Sequence, residues 1–155
     1  IGDESLNCHF VNGFAANDPQ STLNIWQKIC DMDYNSKDPI VIMNCRQDRV
    51  DRTEIFVRNV FPNIETHTLI GIGEVTEPIT TAFKNGELPN VKNYIDLENA
   101  SPDEILEVIS PLMKNRVIYG VGNIHGTGEP FIERLLSMSQ DKTKTDYSET
   151  KEAII

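Results

Sequence analysis

The sequence has 155 residues, 39% hydrophobic and 25% charged, which is the size and balance of one folded domain and excludes a disordered or fibrous chain. A formal net charge of -10 repels phosphodiester backbones and anionic lipid, so nucleic acid is excluded as a partner and any anionic ligand must be held by positive charge gathered locally. No apolar run reaches membrane-span length, and Cys8, Cys30 and Cys45 lack the spacing of a disulfide framework or zinc site, which reads as a reducing, cytoplasmic setting.

The opening at Ile1 has neither a methionine nor a basic-then-apolar leader and reads as a piece cut from a longer chain. A first strand is predicted over Leu6 to Val11, then a helix from Pro19 with Asp18 as N-cap and Leu23, Trp26, Ile29 and Cys30 on one face. Ile40 to Met43 is the second strand. The second helix starts at Asp48 or Asp51, where Asp51 and Glu54 resemble a capping box, and buries Ile55, Phe56 and Val60. Thr68 to Ile72 follows as a strand, Glu77 to Asn85 as a short helix closed by Gly86, and Asn93 to Leu97 as the next strand. Ser101 to Glu104 announces a helix that buries Ile105, Val108, Ile109 and Leu112, with a kink expected at Pro111. The last strand covers Arg116 to Val121 and the last helix Glu129 to Met138.

This alternation predicts an α/β fold, a Rossmann-like, mostly parallel sheet of five or six strands with helices on both faces. One domain is expected over residues 1–140, with 141–155 a disordered polar tail that has too few apolar residues to offset the entropy of ordering.

Ligands of open parallel sheets collect at the carboxyl ends of the strands, where helix N-termini converge. The second exit, NCRQDRVDRT, carries Arg46, Arg49 and Arg52 at every third residue with Asp48 and Asp51 between them. Guanidinium groups in that pattern suit bidentate capture of carboxylate or phosphate, whereas their alternative role is surface pairing with the two Asp. The fifth exit, GVGNIHGTGEP, offers Asn123 and His125 among glycines that let a ligand come close to the backbone. At the first exit Asn12 and Asn17 are binding candidates, while Asp18 is a cap. At the third exit Glu74, Thr76 and Glu77 are placed to orient an amine or to stabilise a helix N-terminus. The sequence contains no G-x-x-x-x-G-K-[ST] loop, no G-x-S-x-G elbow and no metal-ligand spacing, so a self-sufficient active site is not expected.

The segments FVNGFAANDPQSTLNIW, PIVIMNCRQDRVDRT, GEVTEPI and VIYGVGNIHGTGEPFI resemble the C-terminal part of the bacterial poly-γ-glutamate synthase catalytic subunits, the PgsB/CapB family, over about residues 8 to 136. That family is similar to the Mur peptide ligases, whose third domain is Rossmann-like. The resemblance implies an ATP- and Mg²⁺-dependent acid–amino acid ligase that activates a γ-carboxyl of glutamate as an acyl phosphate for attack by the amine of another glutamate. The phosphate loop then belongs to an upstream ATP-binding domain of the same protein, and an isolated C-terminal domain is inactive. It implies further partners, the growing poly-γ-glutamate and the membrane subunits of a synthase complex at the inner face of a bacterial membrane.

Carried over by position, the resemblance puts Asn12 and Asn17 near the nucleotide. It gives catalytic roles to Arg46, Asp48, Arg49 and Arg52, and assigns substrate contacts to Asn123 and His125; Thr76 and Glu77 complete the substrate-binding set. The chain departs from the Mur pattern at Ala16, where those enzymes usually carry histidine, and it lacks a D-N-P-R box. The rival readings are a stand-alone nucleotide-binding α/β module and a structural docking piece of the synthase.

Overall fold

The computed structural model describes residues 8–16, 18–32, 36–123 and 125–139. Among these, five strands form one sheet: His9–Asn12 (β1), Ile40–Cys45 (β2), Thr66–Gly73 (β3), Val91–Glu98 (β4) and Val117–Gly122 (β5). Their order is β1-β5-β2-β3-β4, and every neighbouring pair is parallel. Five α-helices, Pro19–Asp31 (α1), Val50–Asn59 (α2), Glu77–Lys84 (α3), Pro102–Ile109 (α4) and Gly128–Ser139 (α5), alternate with the strands as the hydrophobic pattern predicts. The start of the predicted first strand, at Leu6 and Asn7, and the polar tail over 141–155 lie outside the described residues.

Both central strands, IVIMNC and VIYGVG, are buried at every residue, because helices cover the two faces of the sheet. Side chains alternate between the faces. Val41, Met43 and Cys45 join Trp26 and Ile29 of α1, Phe56 of α2 and Ile79 of α3, whereas Ile40, Ile42 and Ile118 pack with Ile105 and Ile109 of α4 and Phe131 of α5. Complete burial of each such aliphatic or aromatic side chain contributes about 1.5–3 kcal/mol.

Helix boundaries follow their caps in most places. Asp18 accepts from the Ser21 amide at 3.0 Å to open α1, and Ser101 with Glu104 forms a reciprocal capping box on α4. Two expectations are corrected. The Asp51–Glu54 capping box does not form, because Gln47–Arg49 leaves β2 as a 3-10 turn and α2 begins at Val50, so Asp51 is already helical and Arg49 holds the N-cap position without a side-chain cap. Nor does Pro111 kink α4. That helix ends at Ile109, and Pro111 sits early in a separate 3-10 turn, Ser110–Leu112, where its missing N–H has no helical partner to lose.

The order of the strands decides where a crevice opens. From β1 through β4 the chain winds in one direction and α1, α2 and α3 share one face; it then returns across the sheet to place β5 between β1 and β2, with α4 and α5 on the other face. At the carboxyl edge β5 therefore leaves toward one face while its neighbours on both sides leave toward the other. The exits stand level, since Asn12 pairs with Gly120 and Asn44 with Gly122. This is a topological switch point, flanked by the arginine-bearing and histidine-bearing loops.

Tyr119 anchors α1 beside this crevice. Its buried hydroxyl donates to the Thr22 carbonyl at 2.6 Å, and its ring stacks on Trp26 with centroids 5.7 Å apart. Tyr119→Phe keeps the stacking and loses the hydrogen bond, so unfolding in urea, followed by the fluorescence of the single tryptophan, should show a loss of about 1 kcal/mol. An unchanged midpoint would mean that the hydroxyl contributes nothing to holding α1.

Candidate functional site

The arginine run begins where β2 ends. Arg46 is extended, Gln47–Arg49 forms the 3-10 turn and Arg52 lies in the first turn of α2, so a strand-to-helix reversal gathers residues that are spaced along the sequence. Arg46 Nη2 contacts Asp48 Oδ2 at 2.6 Å, and Arg49 Nη1 donates to the Asp48 carbonyl at 2.9 Å. The Arg46–Asp48 pair is solvent-exposed and worth about 0–1 kcal/mol, so an incoming anion can compete for the guanidinium. Arg52 is held more firmly, since its Nη1 donates to Oδ1 of Asn123 on the fifth exit.

Arg46, Arg49, Arg52, Asn123 and His125 line one recess of about 260 Å³, closed on the β1 side by Phe14 and Ala15. Among the described residues no carboxylate lines it. In a chain of net charge -10 this is a local concentration of positive charge, and its size suits a carboxylate or phosphoryl group. A second recess of about 500 Å³ shares Arg46 and His125 with the first and adds Gly73, Glu74 and Thr127. His125 Nδ1 stands 3.6 Å from Glu129 Oε1 at the start of α5. A third hollow, between α1 and α2, mixes Arg49 and Arg52 with Asp18, Asp48 and Asp51 and has no such excess of positive charge.

The third exit aims Glu74 at the second recess. Val75 is held at φ 61, a left-handed conformation that strains a β-branched residue by about 1–3 kcal/mol. Hydrogen bonds clamp it from both sides, from Glu74 N to the Cys45 carbonyl at 2.9 Å and from Thr76 N to Glu98 Oε1 at 3.0 Å. Glu74 Oε1 then accepts from the Gln47 amide at 3.3 Å, beside Arg46.

The other sequence candidates lie elsewhere. Thr76 is buried, with its hydroxyl 2.7 Å from Asp96 Oδ1 and 3.1 Å from Glu98 Oε1, and it holds the turn without lining any of these recesses. Glu77 accepts from the Thr81 hydroxyl one turn along α3. Asn12 Oδ1 accepts from the Phe14 amide at 3.1 Å and shapes the first exit, and Asn17 lies outside the described residues. The fifth-exit glycines also differ from expectation. A Cβ at Gly120 would lie 2.6 Å from the Phe14 ring, so the space there is filled by the protein, whereas Gly126, at φ 78, faces open space. Asn44 was not singled out by sequence; the one signal available was an amide one residue before the end of an otherwise apolar strand.

Among the described residues no group of three or more His, Cys, Asp and Glu side chains is assembled to hold a metal ion, and no helix is long and apolar enough to cross a membrane. The arginine recess fits phosphate oxygens. Cys45, at the edge of the second recess, is buried, and burial pushes its thiol up to about 12, which disfavours the thiolate.

The chain matches the C-terminal domain family of the poly-gamma-glutamate synthase CapB over residues 1–138. It is 54% identical over 136 residues to the capsule biosynthesis protein CapB of Bacillus anthracis, covering 88% of this chain and 29% of that relative. It is 58% identical over 127 residues to the PGA synthase CapB of Bacillus subtilis, covering 82% of this chain and 32% of that relative. The chain thus spans about a third of the length of these relatives. No solved structure matches it.

Burial also orders the cysteines by reactivity. Cys30 is exposed, whereas Cys8 and Cys45 are buried with thiols raised by burial to about 11 and about 12. Iodoacetamide at about pH 8 should therefore label Cys30 in the native protein and leave the other two for denaturant. Labelling of Cys45 at the rate of Cys30 would contradict the closed packing beneath the recess.

Proposed function

This chain belongs to the poly-gamma-glutamate synthase CapB C-terminal domain family, and from that premise we propose that it forms the substrate-binding part of a ligase that joins glutamates through γ-amide bonds. The observation that carries this reading is the recess in which Arg46, Arg49 and Arg52 meet without a carboxylate among the described residues that line it. A ligase of this class must hold the γ-carboxyl of one glutamate, stabilise it as an acyl phosphate, and bring the amine of a second glutamate against the same carbon.

The two adjoining recesses suit those two demands. In the first, the guanidiniums bind carboxylate or phosphoryl oxygens and stabilise the charge that grows on them during attack. In the second, Arg46 takes a carboxylate of the acceptor, and Glu74, fixed by the Val75 turn, takes its ammonium. Once the ammonium has lost a proton to solvent, the amine adds to the acyl carbon; the C–N bond forms, the C–O bond breaks, and inorganic phosphate leaves with that bonding pair and takes up the second proton released from the nitrogen. Arg46 and His125 line both recesses and stand where the two substrates meet.

ATP supplies the phosphoryl group. The arginine recess fits its transferred phosphate, and in this reading ATP and Mg²⁺ are bound mainly by the central domain of the synthase. The upstream part of the synthase contributes the nucleotide site, and closure of that part over the carboxyl edge excludes water from the acyl phosphate. The growing poly-γ-glutamate and the membrane subunits of a capsule-synthesis complex on the cytoplasmic side of a bacterial membrane are the remaining partners in this proposal.

In the intact synthase, Arg46→Gln and Arg52→Gln should each lower the rate of glutamate polymerisation by about tenfold to a hundredfold with unchanged melting temperature. Polymerisation at the wild-type rate with altered assembly of the complex would instead favour a docking role.

A further inference from the structure

Asn44 is the penultimate residue of a strand composed otherwise of Ile, Val, Met and Cys, and it is fully buried. An apolar residue would suit that environment, since an amide taken from water must find partners. Asn44 finds them on the fifth exit. Its Nδ2 donates to the Asn123 carbonyl and, at 2.8 Å, to the His125 carbonyl. Its backbone carbonyl accepts from the Asn123 amide at 3.2 Å and from Asn123 Nδ2 at 3.0 Å. Four hydrogen bonds thus join the two exits across the switch point.

The space around the amide is equally restrictive. A Cβ at Gly128 would lie 2.9 Å from Asn44 Nδ2, and one at Gly73 would lie 2.6 Å from Asn44 Oδ1. The side chain is wedged between the start of α5 and the end of β3. Its Oδ1 accepts no hydrogen bond from the described residues, so the residue is favoured for its donor and its shape and not for complete polar satisfaction. Asn123 is buried as well, and both ends of its amide are used: Nδ2 on the Asn44 carbonyl and Oδ1 on Arg52 Nη1.

We propose that Asn44 is a positioning residue: by holding the backbone carbonyls of Asn123 and His125 its side-chain amide fixes Asn123, and through it the direction of the Arg52 guanidinium in the anion recess. The inference rests on the reading of that recess as the acyl site and deepens it. Arg52 is then oriented from inside the sheet before substrate arrives, and substrate binding does not have to order it. Asn123 acts on the substrate only through Arg52.

The test is a double-mutant cycle in the intact synthase, with wild type, Asn44→Ala, Arg52→Gln and the double variant compared for kcat and KM of glutamate polymerisation at a temperature where all four are folded. Because Asn44→Ala disturbs packing, Asn123→Ser is run in parallel; it removes the acceptor for Arg52 and leaves the bonds from Asn44 Nδ2 to the two carbonyls. Each single substitution should lower kcat/KM by about tenfold or more, and the double variant should be no worse than Arg52→Gln alone. Modification by phenylglyoxal, read by peptide mass spectrometry, should rise at Arg52 in Asn44→Ala and Asn123→Ser and stay unchanged at Arg58, an exposed arginine at the far end of α2. Multiplicative losses in the double variant, or Arg52 modification unaltered by either substitution, would overturn the positioning role. Wild-type polymerisation by Arg52→Gln would overturn the recess reading itself, and it is seen before Asn44 is changed at all.

Discussion

The insertion of β5 between β1 and β2 is the constraint from which the rest follows. A parallel sheet built in one direction leaves every helix on one face and offers no gap at its carboxyl edge. Here the last strand arrives from the far side, so its exit loop diverges from both neighbours, and the space between them is lined by whatever those loops carry. The loops carry three arginines, an asparagine and a histidine. The fold thus makes a position, and the loop sequence makes it electropositive.

Electrostatics then separates this place from the rest of the molecule. A chain of charge -10 repels anions over most of its surface, which discourages nonspecific binding of the same class of ligand that the recess attracts. The third hollow, where the same Arg49 and Arg52 face three aspartates, shows how locally that balance is set. Guanidiniums in such a site must be held, because an arginine ordered only by its substrate costs side-chain entropy at the moment of binding. The Asn44–Asn123 tie supplies that order from the buried side, and the clamped Val75 turn does the same for Glu74.

Much of this was legible in the sequence, and the limits of legibility have physical causes. The βα alternation is a pattern of burial, and burial follows from residue type, so strands and helices fall close to their predicted places. The arginines were legible because their spacing places them in the turn between a buried strand and its helix. Asn44 was not, since an asparagine at a strand exit usually marks a turn, and only the arrival of β5 beside it turns it into a buried linker. Thr76 and Asn12 read as binding residues because they are polar and stand at exits, yet the Thr76 hydroxyl is taken up by Asp96 and Glu98 of β4 and Asn12 Oδ1 by the Phe14 amide of its own loop. Sequence shows which groups are near an edge; which of them are already satisfied depends on contacts with distant strands.

The central claim is that an activated γ-carboxyl is held by these guanidiniums at the carboxyl edge of the sheet. A crystal structure of the intact synthase with a γ-glutamyl phosphonate, a stable stand-in for the acyl phosphate, tests it most directly. The account predicts phosphonate oxygens within hydrogen-bond distance of Arg46 and Arg52, beside His125. A phosphonate bound elsewhere, with those guanidiniums turned to bulk solvent, would contradict it.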